Sequence, residues 1–293
     1  VGLEYVRSTL GTGFPWNQLG ISQYRNLAVI QLAEWGGVYL VSALVMALNV
    51  GLFVMGIRLG NVYLRRGRGT FQVELALAFL LCLLCWVAGV RRVRWLSAVE
   101  RQDPQVRMAV VQPNVKQRKK WQDGYHGEIL QRLEDATRLV LPFGREIDLI
   151  VWPETAVPGP LNRDGETRRF VQGLAREGAP LLVGSMEVHG EPARRGAQGE
   201  DDLVYYNSSF LVNRDGAVRQ VYRKQHLVPF GEYLPFDRHV ALIRRMAPLG
   251  FSCTPGTTGT VFRLDMPWRG VSPPAARAGG STAVLPFSVL ICF

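Results

Sequence analysis

Three short patterns place residues of reactive type at the ends of apolar runs. The first is Asp148-Leu149-Ile150-Val151-Trp152-Pro153-Glu154, where a proline that cannot extend a sheet ends the run and a carboxylate follows at once. The second is Tyr222-Arg223-Lys224-Gln225-His226-Leu227-Val228-Pro229-Phe230-Gly231-Glu232-Tyr233-Leu234-Pro235, which sets a lysine and a glutamate around a compact apolar turn. The third, Val289-Leu290-Ile291-Cys292-Phe293, carries a cysteine at the end of an apolar run. A cysteine attacks as its thiolate, and a thiol with a pKa of about 8.5 is only slightly ionised at neutral pH. A carboxylate that takes the thiol proton and an ammonium that holds charge developing on a carbonyl oxygen complete such a nucleophilic site. Glu154, Lys224 and Cys292 are residues of those three types. His226 reads as a structural hydrogen-bonding residue. Taken singly, each of the three has an ordinary alternative: a loop glutamate, a lysine lying along the surface, and a small buried thiol.

The elements that must carry these residues are legible in the hydrophobic pattern. From Arg107 onward, short apolar runs alternate with turn residues, and Met108–Gln112, Leu149–Trp152, Leu181–Val188, Tyr205–Val212 and Val284–Cys292 read as strands. Asn213-Arg214-Asp215-Gly216 is a turn into a further strand over Val218–Tyr222. Gly124–Val140 reads as a helix with Ile129, Leu130, Leu133, Ala136, Leu139 and Val140 near one face, and Arg168–Glu177 as a second. This alternation predicts a layered α/β domain. The stretches 191–202 and 268–281, rich in Gly, Pro, Ala and Arg, read as exposed loops.

The first third of the chain is of another kind. Trp35–Ile57 contains no charged residue and, as a helix, is about 34 Å long, enough to cross a bilayer core. Phe71–Val90 is a second such stretch, interrupted only by Glu74. Two membrane helices are therefore expected, over about 33–57 and 71–90. They account for an apolar fraction of 47% and a mean hydropathy of +0.05 in a chain of which a fifth is charged. Arginines sit in the short loop between the two stretches and again after the second, so counting positive charge does not orient them.

The net charge of +10 on 293 residues is not gathered in one stripe interleaved with aromatics, which argues against nucleic acid. Arg65-Arg66-Gly67-Arg68 and Arg91-Arg92-Val93-Arg94 flank apolar stretches and suit lipid headgroups. Lys116-Gln117-Arg118-Lys119-Lys120 reads as a solvated surface. Cys82 and Cys85 lie in an apolar run without His or Cys partners, so zinc is not expected.

Glu154, Lys224 and Cys292, in this order and each at a strand end, resemble the catalytic set of the nitrilase, or carbon–nitrogen hydrolase, superfamily. The resemblance implies an α/β fold, a nitrilase-like α-β-β-α sandwich, preceded here by transmembrane helices. It also implies the roles of general base for Glu154, stabiliser of the tetrahedral intermediate for Lys224 and thioester-forming nucleophile for Cys292. Further motifs narrow the match. Thr12-Gly13-Phe14-Pro15-Trp16, the run Gln31-Leu32-Ala33-Glu34-Trp35-Gly36-Gly37-Val38-Tyr39 through Asn49, Val111-Gln112-Pro113-Asn114-Val115 with Trp121, and His226 to Pro235 are similar to the apolipoprotein N-acyltransferase family. That family implies transfer of an acyl chain from a phospholipid, through the cysteine thioester, to the N-terminal diacylglyceryl-cysteine amine of apolipoproteins. It implies no metal or cofactor and a multi-pass place in the bacterial inner membrane with the catalytic domain facing the periplasm. By the same resemblance Trp121 lies near the lipid entrance and Glu232 near the nucleophile, both as substrate-binding positions.

The expected organisation is a membrane region over 1–92, a linker over 93–105 and a catalytic domain over 106–293. The resemblance further implies additional membrane helices upstream, more of the sandwich downstream, and no activity from these 293 residues alone. An alternative uses the same three residues with water as acceptor: a membrane-anchored nitrilase-type amidase cleaving a carbon–nitrogen bond.

Overall fold

The computed structural model describes residues 1–10, 13–64, 73–100, 105–116, 120, 123–143, 146–190, 203–234, 252–267, 282–289 and 291. The chain divides into two units, Val1–Asp103 and Pro104–Phe293.

In the first unit a short helix α1 (Gly2–Thr9) and a single turn α2 (Leu27–Ile30) precede two long helices, α3 (Ala33–Tyr63) and α4 (Val73–Glu100). Both long helices are apolar around their whole circumference, and Leu52, Phe53, Leu59, Leu77, Phe79, Leu80, Leu83 and Leu84 are exposed. Such surfaces suit lipid and not water. The stretches Ala33–Asn61 and Ala76–Val99 are long and apolar enough to cross a membrane. α3 bends at Gly36 and Gly37, which are not helical. Residues 93–100, expected in a linker, continue α4.

The second unit is built on a five-stranded sheet in the order β1 (Met108–Val110), β2 (Leu149–Val151), β3 (Leu181–His189), β4 (Val204–Val212), β5 (Val218–Arg223). β1, β2 and β3 are parallel, whereas β4 is antiparallel to β3 and to β5. Helices α5 (His126–Arg138) and α6 (Gly165–Glu177) cover one face. Their apolar stripes, Ile129 and Leu133 on one and Val171, Leu174 and Ala175 on the other, share a core with Ile150, Leu181, Val183, Phe210 and Val212. The Asp164 carboxylate caps α6 by accepting from the backbone N–H groups of Glu166 and Thr167.

Because strand side chains alternate, Leu149, Leu182 and Leu211 point the other way, onto Phe262 and Leu264. Those two belong to β6 (Phe262–Pro267), which pairs antiparallel with β7 (Thr282–Phe287). Helices, sheet and second sheet form three successive layers of an α-β-β-α sandwich. β6 was not anticipated. The strand expected over Val284–Cys292 is present as β7, which ends at Phe287, so Ser288 and Val289 lie beyond it.

A charged group fixes the far edge of the sheet on its helix-covered side. The buried Glu187 carboxylate accepts from Arg223 Nε and Nη2, both at 2.8 Å, and from Ser208 Oγ at 2.9 Å, while His189 Nε2 lies 2.7 Å away. Arg223 also lies over the Tyr206 ring, 4.5 Å from its centroid. Burial disfavours the ionised carboxylate, but the bonds from Arg223, His189 and Ser208 outweigh it and lower the pKa from 4.5 to about 2. β5 is thereby tied across β4 to β3, one residue before Lys224.

This carboxylate stays ionised in the folded chain down to about pH 2, whereas the unfolded chain protonates near its ordinary value. Its stabilisation is therefore present above about pH 4.5 and lost as pH falls toward 2. Glu187→Gln should lower stability at neutral pH by roughly 2 kcal/mol and flatten the acid decline of the thermal midpoint. A midpoint-versus-pH curve that keeps the wild-type shape in this variant contradicts the assignment.

Candidate active site

The face of the sheet opposite the helices collects polar side chains at the strand ends. On β3 this face carries Leu182, Gly184 and Met186; on β4 it carries Leu211 and Asn207; and one step past β5 it receives Lys224. Lys224 N–H donates to the Asn207 carbonyl at 2.8 Å, so the ladder extends to the lysine itself.

Glu154 arrives from β2. Trp152 N–H still donates to Leu182 O, and after Pro153 and Glu154 the chain returns to the sheet where Ala156 N–H donates to Gly184 O at 2.7 Å. Thr155 takes a positive φ of 43° to make this turn, an uncommon conformation for a β-branched residue. The turn lies so close to β3 that a Cβ on Gly184 would stand 2.4 Å from Pro153 O and 2.8 Å from Glu154 Cα. Glycine is required there because the atoms it faces are backbone.

Glu232 arrives from a tight turn after β5. Glu232 N–H donates to Val228 O, and its carboxylate accepts in return from Val228 N–H at 2.8 Å. The fold thus fixes one carboxylate oxygen before any other side chain is considered.

These segments converge on one ammonium. Lys224 Nζ lies 3.4 Å from Glu154 Oε1, 3.0 Å from Glu232 Oε1 and 2.9 Å from Glu232 Oε2. The lysine side chain is 3% exposed, Glu232 15% and Glu154 34%. An ammonium so deeply buried is held by its two carboxylates, and the more open of them, Glu154, is the one positioned to meet a ligand.

Two residues that sequence reasoning passed over complete the cluster. Asn207 is buried, and its Nδ2 donates to Glu154 Oε1 at 2.5 Å and to Glu232 Oε1 at 2.7 Å. It bridges two anions that would otherwise repel. Its only signal in the sequence is a polar residue inside the run Tyr205–Val212. Lys120, expected on a solvated surface, is instead half-buried and donates from Nζ to the Glu154 carbonyl at 2.9 Å. Burial lowers its pKa below the ordinary lysine value, and the Glu154 charge opposes that shift.

Cys253 is buried with Met186 and Leu227, and its N–H donates to Glu232 O at 2.7 Å. Burial, reinforced by the Glu232 and Glu154 charges and opposed by Lys224, pushes its thiol up to about 12. At neutral pH this thiol is protonated and a poor nucleophile. Cys292 and Trp121 lie outside the described residues. Of the expected site, the structure therefore brings together Glu154, Lys224 and Glu232.

Residues 107–293 match the carbon–nitrogen hydrolase family. The chain belongs to that family. Within it, residues 1–51 match the apolipoprotein N-acyltransferase N-terminal domain. The apolipoprotein N-acyltransferase of Geobacter metallireducens is 35% identical over 247 residues, covering 84% of this chain and 44% of the relative. That of Pseudomonas syringae pv. tomato is 36% identical over 242 residues, covering 80% and 41%. That of Chlorobaculum tepidum is 30% identical over 257 residues, covering 84% and 46%. The chain spans less than half the length of these curated relatives. Its matched N-terminal domain and two apolar helices make it a membrane protein of this family.

Gly184→Ala should force the Pro153–Thr155 turn off the strand and carry Glu154 with it. The overpacking costs about 1–3 kcal/mol, and the thermal midpoint checks this. A variant with the wild-type midpoint would show that the turn does not require glycine at this position.

Proposed function

We propose that this chain carries the catalytic machinery of an apolipoprotein N-acyltransferase. It moves an acyl chain from a phospholipid, through a thioester on Cys292, to the N-terminal diacylglyceryl-cysteine amine of an apolipoprotein. The observation that supports this most is the convergence of Glu154 and Glu232 on the buried Lys224, from segments up to 70 residues apart.

In this reading Glu154 takes the Cys292 thiol proton as the sulfur attacks the ester carbonyl carbon. Lys224 holds the charge that develops on the carbonyl oxygen. An ammonium has three N–H groups, and one of them can turn from its carboxylate partners to that oxygen. Collapse breaks the ester C–O bond, and Glu154 returns its proton to the departing lysophospholipid alkoxide. The acceptor amine then attacks the thioester carbon, Glu154 accepts the amine proton, and collapse expels the Cys292 sulfur, which is reprotonated. Amine attack on a thioester is easier than on the parent ester, which is the use of the covalent step. Glu232 and Asn207 keep Lys224 and Glu154 in register. Trp121, which follows Lys120 in the sequence, borders the lipid entrance in this reading.

In this reading the membrane region over 1–92 lies in the bacterial inner membrane, with Arg65, Arg66 and Arg68 cytoplasmic and the catalytic domain from residue 106 periplasmic, where diacylated lipoproteins are met.

Mass spectrometry of the full-length protein incubated with phospholipid tests the reading. An acyl adduct is expected on Cys292, absent in Cys292→Ala and retained in Cys253→Ala. Glu154→Gln and Lys224→Ala should slow formation of the adduct itself by about a hundredfold or more. An adduct on Cys253, or wild-type formation in Glu154→Gln, would overturn the assignment. An adduct released to water in the presence of a lipopeptide amine would support the amidase instead.

A further inference from the structure

The main chain that carries Glu154 is held firmly at its two ends and lightly between them. Trp152 N–H donates to Leu182 O at 2.9 Å, and Ala156 N–H donates to Gly184 O at 2.7 Å. Between these bonds lie Pro153, which has no N–H, and then Glu154 and Thr155. Among the described residues, the main chain of Pro153–Thr155 makes one hydrogen bond, accepted by the Glu154 carbonyl from Lys120 Nζ at 2.9 Å. The Glu154 carboxylate is held through Oε1, which accepts from Asn207 Nδ2 at 2.5 Å and lies 3.4 Å from Lys224 Nζ.

The Glu154 carbonyl and the Thr155 N–H belong to one planar peptide group, so they turn together. Rotation of that group changes the φ of Thr155, which stands at +43°. A β-branched residue resists this conformation, and such strain persists only where surrounding contacts impose it. The bond from Lys120 grips the oxygen of that same peptide. Lys120 is half-buried, and burial lowers its pKa below the ordinary lysine value. A lysine lying along the surface would instead keep its ammonium in water.

We propose that Lys120 is a positioning residue: by holding the Glu154 carbonyl it keeps the Glu154–Thr155 peptide in its strained orientation, and with it the Glu154 carboxylate on Asn207 and Lys224. The proposal rests on the catalytic reading of Glu154 and gives the two lysines separate tasks. Lys224 meets the carboxylate, and Lys120 meets the main chain behind it. Without Lys120, Thr155 relaxes toward negative φ, the peptide turns, and the Glu154 side chain leaves its partners. The turn then needs Lys120 only while residue 155 carries a side chain, because glycine adopts a positive φ readily.

The test is the rate of acyl-adduct formation by the full-length protein with dioleoylphosphatidylglycerol in non-ionic detergent. Lys120→Met should lower the rate at saturating lipid about tenfold or more and leave the half-saturating lipid concentration unchanged. Lys120→Arg, which keeps a donor, should recover most of that rate. In a Thr155→Gly background, Lys120→Met should cost only about threefold or less. A general folding defect would instead slow Lys120→Met alike in both backgrounds. The proposal is overturned by a wild-type rate in Lys120→Met, by equal losses in the two backgrounds, or by a raised half-saturating concentration at an unchanged saturated rate, which would make Lys120 a lipid contact. Glu154→Gln is measured in parallel. A wild-type rate there defeats the catalytic reading itself, so the two failures are told apart.

Discussion

An ammonium buried as deeply as that of Lys224 is unstable in a folded protein unless negative charge and hydrogen-bond acceptors come to it. In this chain they come from two places, the turn after β2 and the turn after β5. Asn207 supplies the N–H groups that let two carboxylates share one cation. Much of the second unit can be understood as what is needed to hold that arrangement. β2 must end at Trp152, Gly184 must have no side chain, and the Val228–Tyr233 turn must return Glu232 toward the sheet.

The alternation of strand side chains makes this possible without crowding. Arg223 and Lys224 are neighbours in sequence but serve opposite faces. Arg223 joins Glu187 and Ser208 on the helix side and fixes the end of β5, and Lys224 enters the site from the other side. The two cations also differ in chemistry. The guanidinium fork meets both oxygens of one carboxylate, whereas the ammonium meets two carboxylates.

Much of this was legible in the sequence, for physical reasons that also explain the rest. Apolar runs closed by turn residues marked β1 to β5, and the proline before Glu154 marked the point at which a strand must stop. β6 alternates Phe262, Leu264 and Met266 with exposed Arg263 and Asp265, yet it follows a stretch of Gly, Thr and Pro that hides its start. The end of α4 was misjudged because helicity was expected to stop with apolarity at Val90. No Gly or Pro intervenes after Gly89 before Pro104, and the helix runs to Glu100. Asn207 and Lys120 were missed for a deeper reason. Local pattern tells which way a side chain points, but not that a segment 34 residues away will present a carbonyl to it.

The central claim is that Glu154 and Lys224 act as one unit. A double-mutant cycle on the rate of acyl-adduct formation at Cys292, using Glu154→Gln, Lys224→Met and the pair, measures this directly. If the ammonium and the carboxylate depend on each other, the double variant will be no slower than the slower single variant. Losses that multiply, each change acting as though the other residue were intact, would contradict it.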